Sequence, residues 1–249
     1  MKGGSVLKRI CFYPAGHTAA LGSAVAVLKE EGFRFSDTFQ DATHLLLPVP
    51  SVDSDGCVIG GGPLEELLEK LPKDITVIGG NLNLPGYGVW DLLQDPEYLA
   101  RNAYITACCA LQLAMDRLPV VLSEARTLVI GWGRIGKCLA ELLKNNGAHV
   151  TVAARKEEDR AMLQALGYET ASTAGLDTRP YQLIFNTAPT MLLPQCPGDA
   201  LKIDLASKLG LGGLDVVWAR GLPGRYAPVS SGKLIARSIM KLAEKEISV

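Results

Sequence analysis

The stretch "LVIGWGRIGKCLAELLKNNGAHVTVAARK", residues 128–156, decides the fold of the chain. The apolar run "TLVIG" predicts a buried strand, and the pattern from about Arg134 to Asn146 predicts an amphipathic helix that ends at Gly147. A second strand is predicted at "HVTVAA". These elements form a strand–turn–helix–strand unit of the kind that opens a Rossmann fold.

The turn of this unit carries Gly131, Gly133 and Gly136 in G-x-G-x-x-G spacing. In such turns the first glycine permits the bend, the second lets a pyrophosphate approach the backbone, and the third lets the helix pack on the sheet. The helix N-terminus adds N–H groups and a positive dipole end. We therefore predict a dinucleotide site that includes Arg134 and Ile135; a turn that serves packing alone is the alternative.

The end of the second strand indicates which dinucleotide is bound. Ala154, Arg155 and Lys156 stand where NAD enzymes carry an acid for the ribose hydroxyls. An acid would repel a 2′-phosphate, whereas Arg155 and Lys156 offer it positive charge. NADP is the predicted cofactor, with NAD less favoured; two solvated basic residues at a strand end are the alternative interpretation.

Composition excludes several classes of protein. The 249 residues are 48% hydrophobic and 20% charged, which is typical of a soluble globular protein, and no apolar run approaches a membrane span. The formal net charge of −1 argues against a nucleic-acid or membrane surface. The six cysteines contain no C-x-x-C pair and the three histidines are scattered, so we expect reduced thiols, a cytoplasmic location and no metal site.

Strand and helix patterns alternate along the whole chain, which predicts an α/β protein with parallel sheets. We expect two domains. Residues 1–100 are predicted to form a smaller N-terminal α/β domain, flavodoxin-like or Rossmann-like, and residues 101–122 an interdomain helix and linker. Residues 123–249 are predicted to form a C-terminal Rossmann domain, with a doubly wound parallel sheet and a final helix.

Three later stretches carry motifs in a distinctive order: "QLIFNTAP" (Gln182–Pro189), "LKIDLASKLGLGG" (Leu201–Gly213) and "ARGLPGRYAPVSSGKLIA" (Ala219–Ala236). Together they resemble the dipicolinate synthase A-subunit family. That family has N-T-x-P, I-D-L-A-S-K/R-P-G-G and G-L-P-G-x-x-A-P-x-x-x-G at the corresponding places.

The first half of the chain resembles this family more loosely. The segment "NAYITACCA" keeps Asn102 and Thr106 of the family's N-S-I-P-T-x-E-G pattern. It has Ile105 in place of the proline, Cys108 in place of the glutamate and Cys109 in place of the glycine.

The resemblance implies an NADP-dependent oxidoreductase of sporulation. It would convert the small dicarboxylate 4-hydroxy-tetrahydrodipicolinate to dipicolinate, by loss of water and hydride transfer, beside a flavoprotein-like B subunit. We also expect a homo-oligomer. Because the glutamate is replaced by Cys108, two alternatives stay open: another NAD(P)-dependent dehydrogenase of 2-hydroxyacid-dehydrogenase-like architecture, and a nucleotide-binding subunit without catalysis.

Ligands of open α/β sheets bind beyond the carboxyl ends of the strands, which places the candidate site residues in strand-end loops. Ser207 and Lys208 offer a hydroxyl and a cation to a carboxylate, and Arg225 offers a second cation. His17 is the best-placed histidine for a general base, with a capping or surface role as the alternative. The remaining candidates are two catalytic-side residues, Asn102 and Thr106, and four cofactor-loop residues, Asn186, Thr187, Ala188 and Pro189.

Overall fold

The computed structural model describes residues 10–193, 195–196, 198–213 and 215–247. Backbone contacts divide these residues into two compact units: the residues up to Asn102 together with those from Pro223 onward, and Ala103–Leu222. Each unit contains a parallel sheet with helices in its crossovers. The predicted class, two α/β domains with parallel sheets, is therefore confirmed.

The first unit contains a five-stranded sheet in the order β2-β1-β3-β4-β5, and every neighbouring pair is parallel. This order is the flavodoxin-like one, as predicted. The strands are β1 (Cys11–Pro14), β2 (Arg34–Phe35), β3 (His44–Leu46), β4 (Thr76–Gly79) and β5 (Gly88–Asp91). The helices α1 (Ala19–Glu30) and α2 (Leu64–Lys70) connect them, and α3 (Pro96–Met115) begins in this unit and continues into the other.

The C-terminal helices of the chain are α6 (Leu222–Tyr226) and α7 (Pro228–Ile247). The helix α7 lies against α1, because Gly232 lets the two backbones approach: a Cβ atom there would overlap Ser23 and the backbone of Ala20. This placement corrects the sequence-based division, which assigned the last helix to the Rossmann domain. The local pattern predicted the helix but not the surface on which it packs.

The second unit contains a six-stranded parallel sheet in the order β11-β10-β9-β6-β7-β8. Numbered from its own first strand, this is the 3-2-1-4-5-6 order of the dinucleotide-binding fold, read from the opposite edge. Its strands are β6 (Arg126–Ile130), β7 (His149–Ala154), β8 (Glu169–Ser172), β9 (Leu183–Asn186), β10 (Leu201–Asp204) and β11 (Val216–Trp218). The helices α4 (Arg134–Asn145) and α5 (Glu157–Ala165) follow β6 and β7.

Candidate dinucleotide site

The glycine turn lies at the carboxyl end of β6, beside the point where the strand order reverses between β6 and β9. Gly131 has a φ of +102°, and a Cβ atom there would lie 2.6 Å from Thr187 Oγ1. A Cβ atom at Gly136 would overlap the carbonyl oxygen of Gly131. Both glycines are thus required by the turn's own packing.

Gly133 is different, because neither packing nor conformation requires a glycine there. Its φ is −82°, which any residue adopts, and a Cβ atom would meet no atom within 4 Å. Because Gly133 has no side chain, the space in front of α4 stays open. A pyrophosphate approaching the backbone needs such a space, so the turn fits a dinucleotide.

The N-terminus of α4 presents N–H groups that can bind an anion in this space. Gly133 occupies the N-cap position and provides no side-chain cap, so the first N–H groups of α4 keep their capacity for an anion. Arg134 and Lys137 are exposed on this turn, and Ile135 is half-buried. The ring of Trp132 lies under Lys137 Nζ, and its centre is 6.0 Å from the ring centre of Tyr168.

The loop after β9 is fastened directly to the glycine turn. The backbone N–H and the Oγ1 hydroxyl of Thr187 each donate to the carbonyl oxygen of Ile130, at 2.9 Å. Ala188 is half-buried and Pro189 is exposed beside this anchor. Thr187 therefore holds the β9 loop against the first strand of the fold.

Asn186 is directed into the protein rather than toward a ligand. Its side chain is fully buried, and its Nδ2 donates to Asp204 Oδ2 at 3.0 Å and to the carbonyl oxygen of Ala188 at 3.1 Å. Its Oδ1 accepts from the N–H of Ala188. Because every polar atom of Asn186 is engaged within the protein, its side chain positions the loop that was predicted to line the cofactor.

Asp204, which sequence reasoning did not single out, is the centre of this network. Its buried carboxylate accepts from the N–H groups of Ala206, Gly210 and Leu211 at 2.8–3.0 Å, besides the amide of Asn186. Asp204 thereby ties the loop after β10 to the loop after β9. The position of an acid at the end of an apolar strand was the one signal available in the sequence.

The end of β7 carries the predicted 2′-phosphate residues. Arg155 and Lys156 are both exposed, and Lys156 Nζ forms an ion pair with Glu158 at 3.0 Å. The hydrogen bond and charge of Glu158 raise the pKa of Lys156 above its ordinary value. Lys156 is thus already engaged by an acid, and Arg155 is the more available cation.

The remaining candidates have the following places. Ser207 and Lys208 are exposed in the loop after β10, and Asn102 and Thr106 lie one turn apart on α3. His17 is exposed immediately before Thr18, the residue that caps α1 with its side chain.

Arg225 is also exposed, in α6, with its guanidinium 6.0 Å from the ring centre of Tyr226. It belongs to the first compact unit, not to the predicted Rossmann domain. Among the described side chains, no cluster of three or more His, Cys, Asp and Glu is arranged to hold a metal ion.

The strand order, the glycine turn and the open N-terminus of α4 define the class of protein: one with a Rossmann-type, dinucleotide-binding fold. A transhydrogenase structure from Sinorhizobium meliloti has this fold, with a TM-score of 0.66 and 15% identity over 98% of this chain and 88% of that one. No helix in the described part of the chain is long and apolar enough to cross a membrane.

Within this class the chain is similar to the A subunit of dipicolinate synthase. It is 25% identical to the Bacillus subtilis protein over 233 residues, which cover 82% of this chain and 78% of that protein. The crystal structure of the corresponding Bacillus halodurans protein superimposes with a TM-score of 0.81 and 22% identity, over 94% of this chain and 97% of that one. No protein-family model matches the chain.

Proposed function

We propose that this chain catalyses the NADP-dependent oxidation of 4-hydroxy-tetrahydrodipicolinate to dipicolinate. The observation that carries the proposal is the similarity to the dipicolinate synthase protein of Bacillus subtilis over most of both chains. The motifs behind that resemblance include "NTAP" and "IDLAS", which lie at the ends of β9 and β10, at the carboxyl edge of the dinucleotide sheet.

The proposed reaction balances with one cofactor molecule. Loss of the 4-hydroxyl group as water adds one double bond to the ring. Loss of a hydride and a proton then completes the aromatic pyridine, so the products are dipicolinate, NADPH, one proton and water. When bound, NADP⁺ supplies the hydride acceptor. Because the aromatic product favours loss of the ring proton, a strong general base is not required.

The residues of this chain would bind and orient the reactants. Gly133 and the first N–H groups of α4 are suited to the pyrophosphate, and Arg155 to a 2′-phosphate. Lys208 and Arg225 are exposed cations suited to carboxylates, which must lose water when they bind and need charge to offset that loss. We assign Lys208 and Arg225 each to an anionic group of substrate or cofactor.

A second subunit is part of the proposal. The name of the Bacillus subtilis relative designates one lettered subunit of its enzyme, and such a name implies a partner in that protein. We propose that this chain works beside a B subunit, and the activity assay is therefore run both with and without one.

The test is to incubate the purified protein with NADP⁺ and enzymatically prepared hydroxy-tetrahydrodipicolinate, and to follow the absorbance of pyridine-2,6-dicarboxylate and of NADPH together. We expect equal amounts of the two products. The variant Gly133→Val, which fills the space in front of α4, should abolish both signals while the protein stays folded.

Two outcomes would redirect the proposal. If no pyridine forms, with or without a B subunit, but a 2-hydroxyacid is oxidised, the chain is a dehydrogenase for another substrate. If NADP⁺ binds and no substrate of either kind is turned over, the chain is a nucleotide-binding subunit.

A further inference from the structure

Arg160 lies at the carboxyl end of β7, although it belongs to the following helix. It occupies the first turn of α5, is half-buried, and its side chain reaches back toward the strand. Its Nη1 donates to the carbonyl oxygen of Ala154 at 2.9 Å and to that of Arg155 at 2.8 Å. The guanidinium is therefore fixed over the end of the strand.

That place is where the adenosine ribose of a dinucleotide lies in this fold. The second strand of a Rossmann unit ends beside the ribose, and the residues at its end distinguish a 2′-hydroxyl from a 2′-phosphate. The end of β7 adjoins the glycine turn here, since the N–H of Gly131 donates to the carbonyl oxygen of Ala153 at 2.9 Å. A charge held at this end of β7 bears directly on cofactor choice.

Arg160 retains hydrogen-bonding capacity after it has bound the strand. A guanidinium has five N–H donors, and the two hydrogen bonds to the strand use only Nη1. Within the described residues, Nη2 and Nε of Arg160 form no hydrogen bond or ion pair. A planar group fixed on one edge and unengaged on the other is suited to a phosphate.

The surrounding charges explain why a second cation is needed. Glu157, Glu158 and Asp159 form the first turn of α5, and Lys156 is paired with Glu158. These acids would repel a 2′-phosphate. The exposed side chain of Arg155 alone would offset little of this repulsion.

We propose that Arg160 determines cofactor specificity, an inference that rests on the proposed use of NADP. Arg160 binds the 2′-phosphate with Nη2 and Nε, while Arg155 covers the phosphate from the solvent side. Arg160 is the fixed half of the pair and Arg155 the flexible half. Because the Arg160 side chain is already ordered before the phosphate binds, less conformational entropy is lost on binding.

The test compares the dissociation constants of NADP⁺ and NAD⁺, and of adenosine 2′,5′-bisphosphate and AMP, by calorimetric titration of the whole protein. The variant Arg160→Gln should weaken NADP⁺ and the bisphosphate roughly 10- to 150-fold and leave NAD⁺ and AMP within about threefold. Arg160→Lys keeps the charge without the planar fork and should retain part of the preference. The control is Arg179→Gln, an exposed arginine of the same unit held by Asp177, which should change none of the four constants.

The outcomes separate this inference from the proposed function. If the wild type prefers NADP⁺ and Arg160→Gln weakens all four ligands equally, Arg160 only fastens the strand end and the inference is overturned. If the wild type has no preference for NADP⁺, the proposed cofactor itself is wrong and the inference fails with it. Should Arg160→Gln not fold, the same comparison is made with Arg160→Lys, where an unchanged ratio of the four constants overturns the inference.

Discussion

Glycines serve different purposes at the carboxyl edges of the two sheets. In the first sheet, Gly16 and Gly60 join the loops after β1 and β3: a Cβ atom at Gly16 would lie 2.7 Å from the carbonyl oxygen of Ile59, and one at Gly60 would overlap the backbone of His17. In the second sheet, Gly133 faces open space at an ordinary φ. Gly16 and Gly60 are enclosed by backbone and serve packing, whereas Gly133 leaves open space at the N-terminus of α4, where a pyrophosphate would approach.

The surroundings of the buried polar side chains also differ between the two sheets. Asn186 and Asp204 in the second sheet join two loops through hydrogen bonds to backbone and to each other. His44 in the first sheet is enclosed by aromatic rings, 5.7 Å from Phe12 and 5.1 Å from Trp90 between ring centres. The first arrangement shapes a ligand edge, and the second is part of a core.

The largest effect is expected at Asp204. The substitution Asp204→Ala would leave three backbone N–H groups and one amide without their acceptor, at about 1–3 kcal/mol each before water enters. We expect the free energy of unfolding to fall by at least about 4 kcal/mol, measured by urea denaturation. Asp177→Ala, at an exposed carboxylate of the same unit, is the control; a loss at Asp204 below about 1 kcal/mol would show that the network contributes little.

A pair of glycine variants tests the comparison of the two edges directly. Gly60→Ala should cost about 3 kcal/mol of unfolding free energy, because its φ is +73° and the new methyl group meets backbone. Gly133→Ala should change stability by no more than about 1 kcal/mol but weaken NADP⁺ at least about tenfold. Gly62→Ala, which meets open space in the first unit, is the control for both measurements. Equal effects of Gly60→Ala and Gly133→Ala on stability would remove the distinction.

His44 should make the first unit sensitive to acid. Burial lowers the pKa of His44 from 6.5 to about 4, so the unfolded chain takes up a proton there more readily than the folded chain does. Its contribution to stability is complete above pH 6.5 and is lost as the pH falls toward 4, up to about 3 kcal/mol.

This acid sensitivity is measured as the difference in unfolding free energy between pH 7 and pH 4.5 for wild type and His44→Gln. The variant should lose less than the wild type over this range, whereas the exposed His17→Gln should behave like the wild type. Parallel pH profiles of wild type and His44→Gln would contradict the assignment.

The smallest effect is expected at Arg225. Arg225→Met keeps the aliphatic stem and removes the charge. If Arg225 binds a carboxylate of the substrate, KM should rise roughly tenfold while the dissociation constant of NADP⁺ stays unchanged. Steady-state kinetics and cofactor titration on the same preparation measure both quantities. An unchanged KM would exclude Arg225 from substrate binding, and Lys208→Met would then be the variant to examine.

The sequence by itself determined the features that contiguous residues encode. The glycine turn from Gly131 to Gly136, the amphipathic helix after it and the alternation of short apolar strands with helices depend on neighbours within a few positions. For that reason the α/β class, both parallel sheets and the dinucleotide turn were predictable. Edge strands such as β2, with two residues, and polar elements such as α5 lack an apolar pattern and were not found.

Tertiary structure alone decided which distant residues meet. The helix α7 packs on α1 because Gly232 admits a close approach, and Asn186 faces Asp204 because β9 and β10 are neighbours in register. Arg160 reaches the end of β7 because α5 begins within the length of one arginine side chain. Such contacts depend on strand order and helix placement, which arise from packing across the whole chain, and no local pattern in the sequence records them.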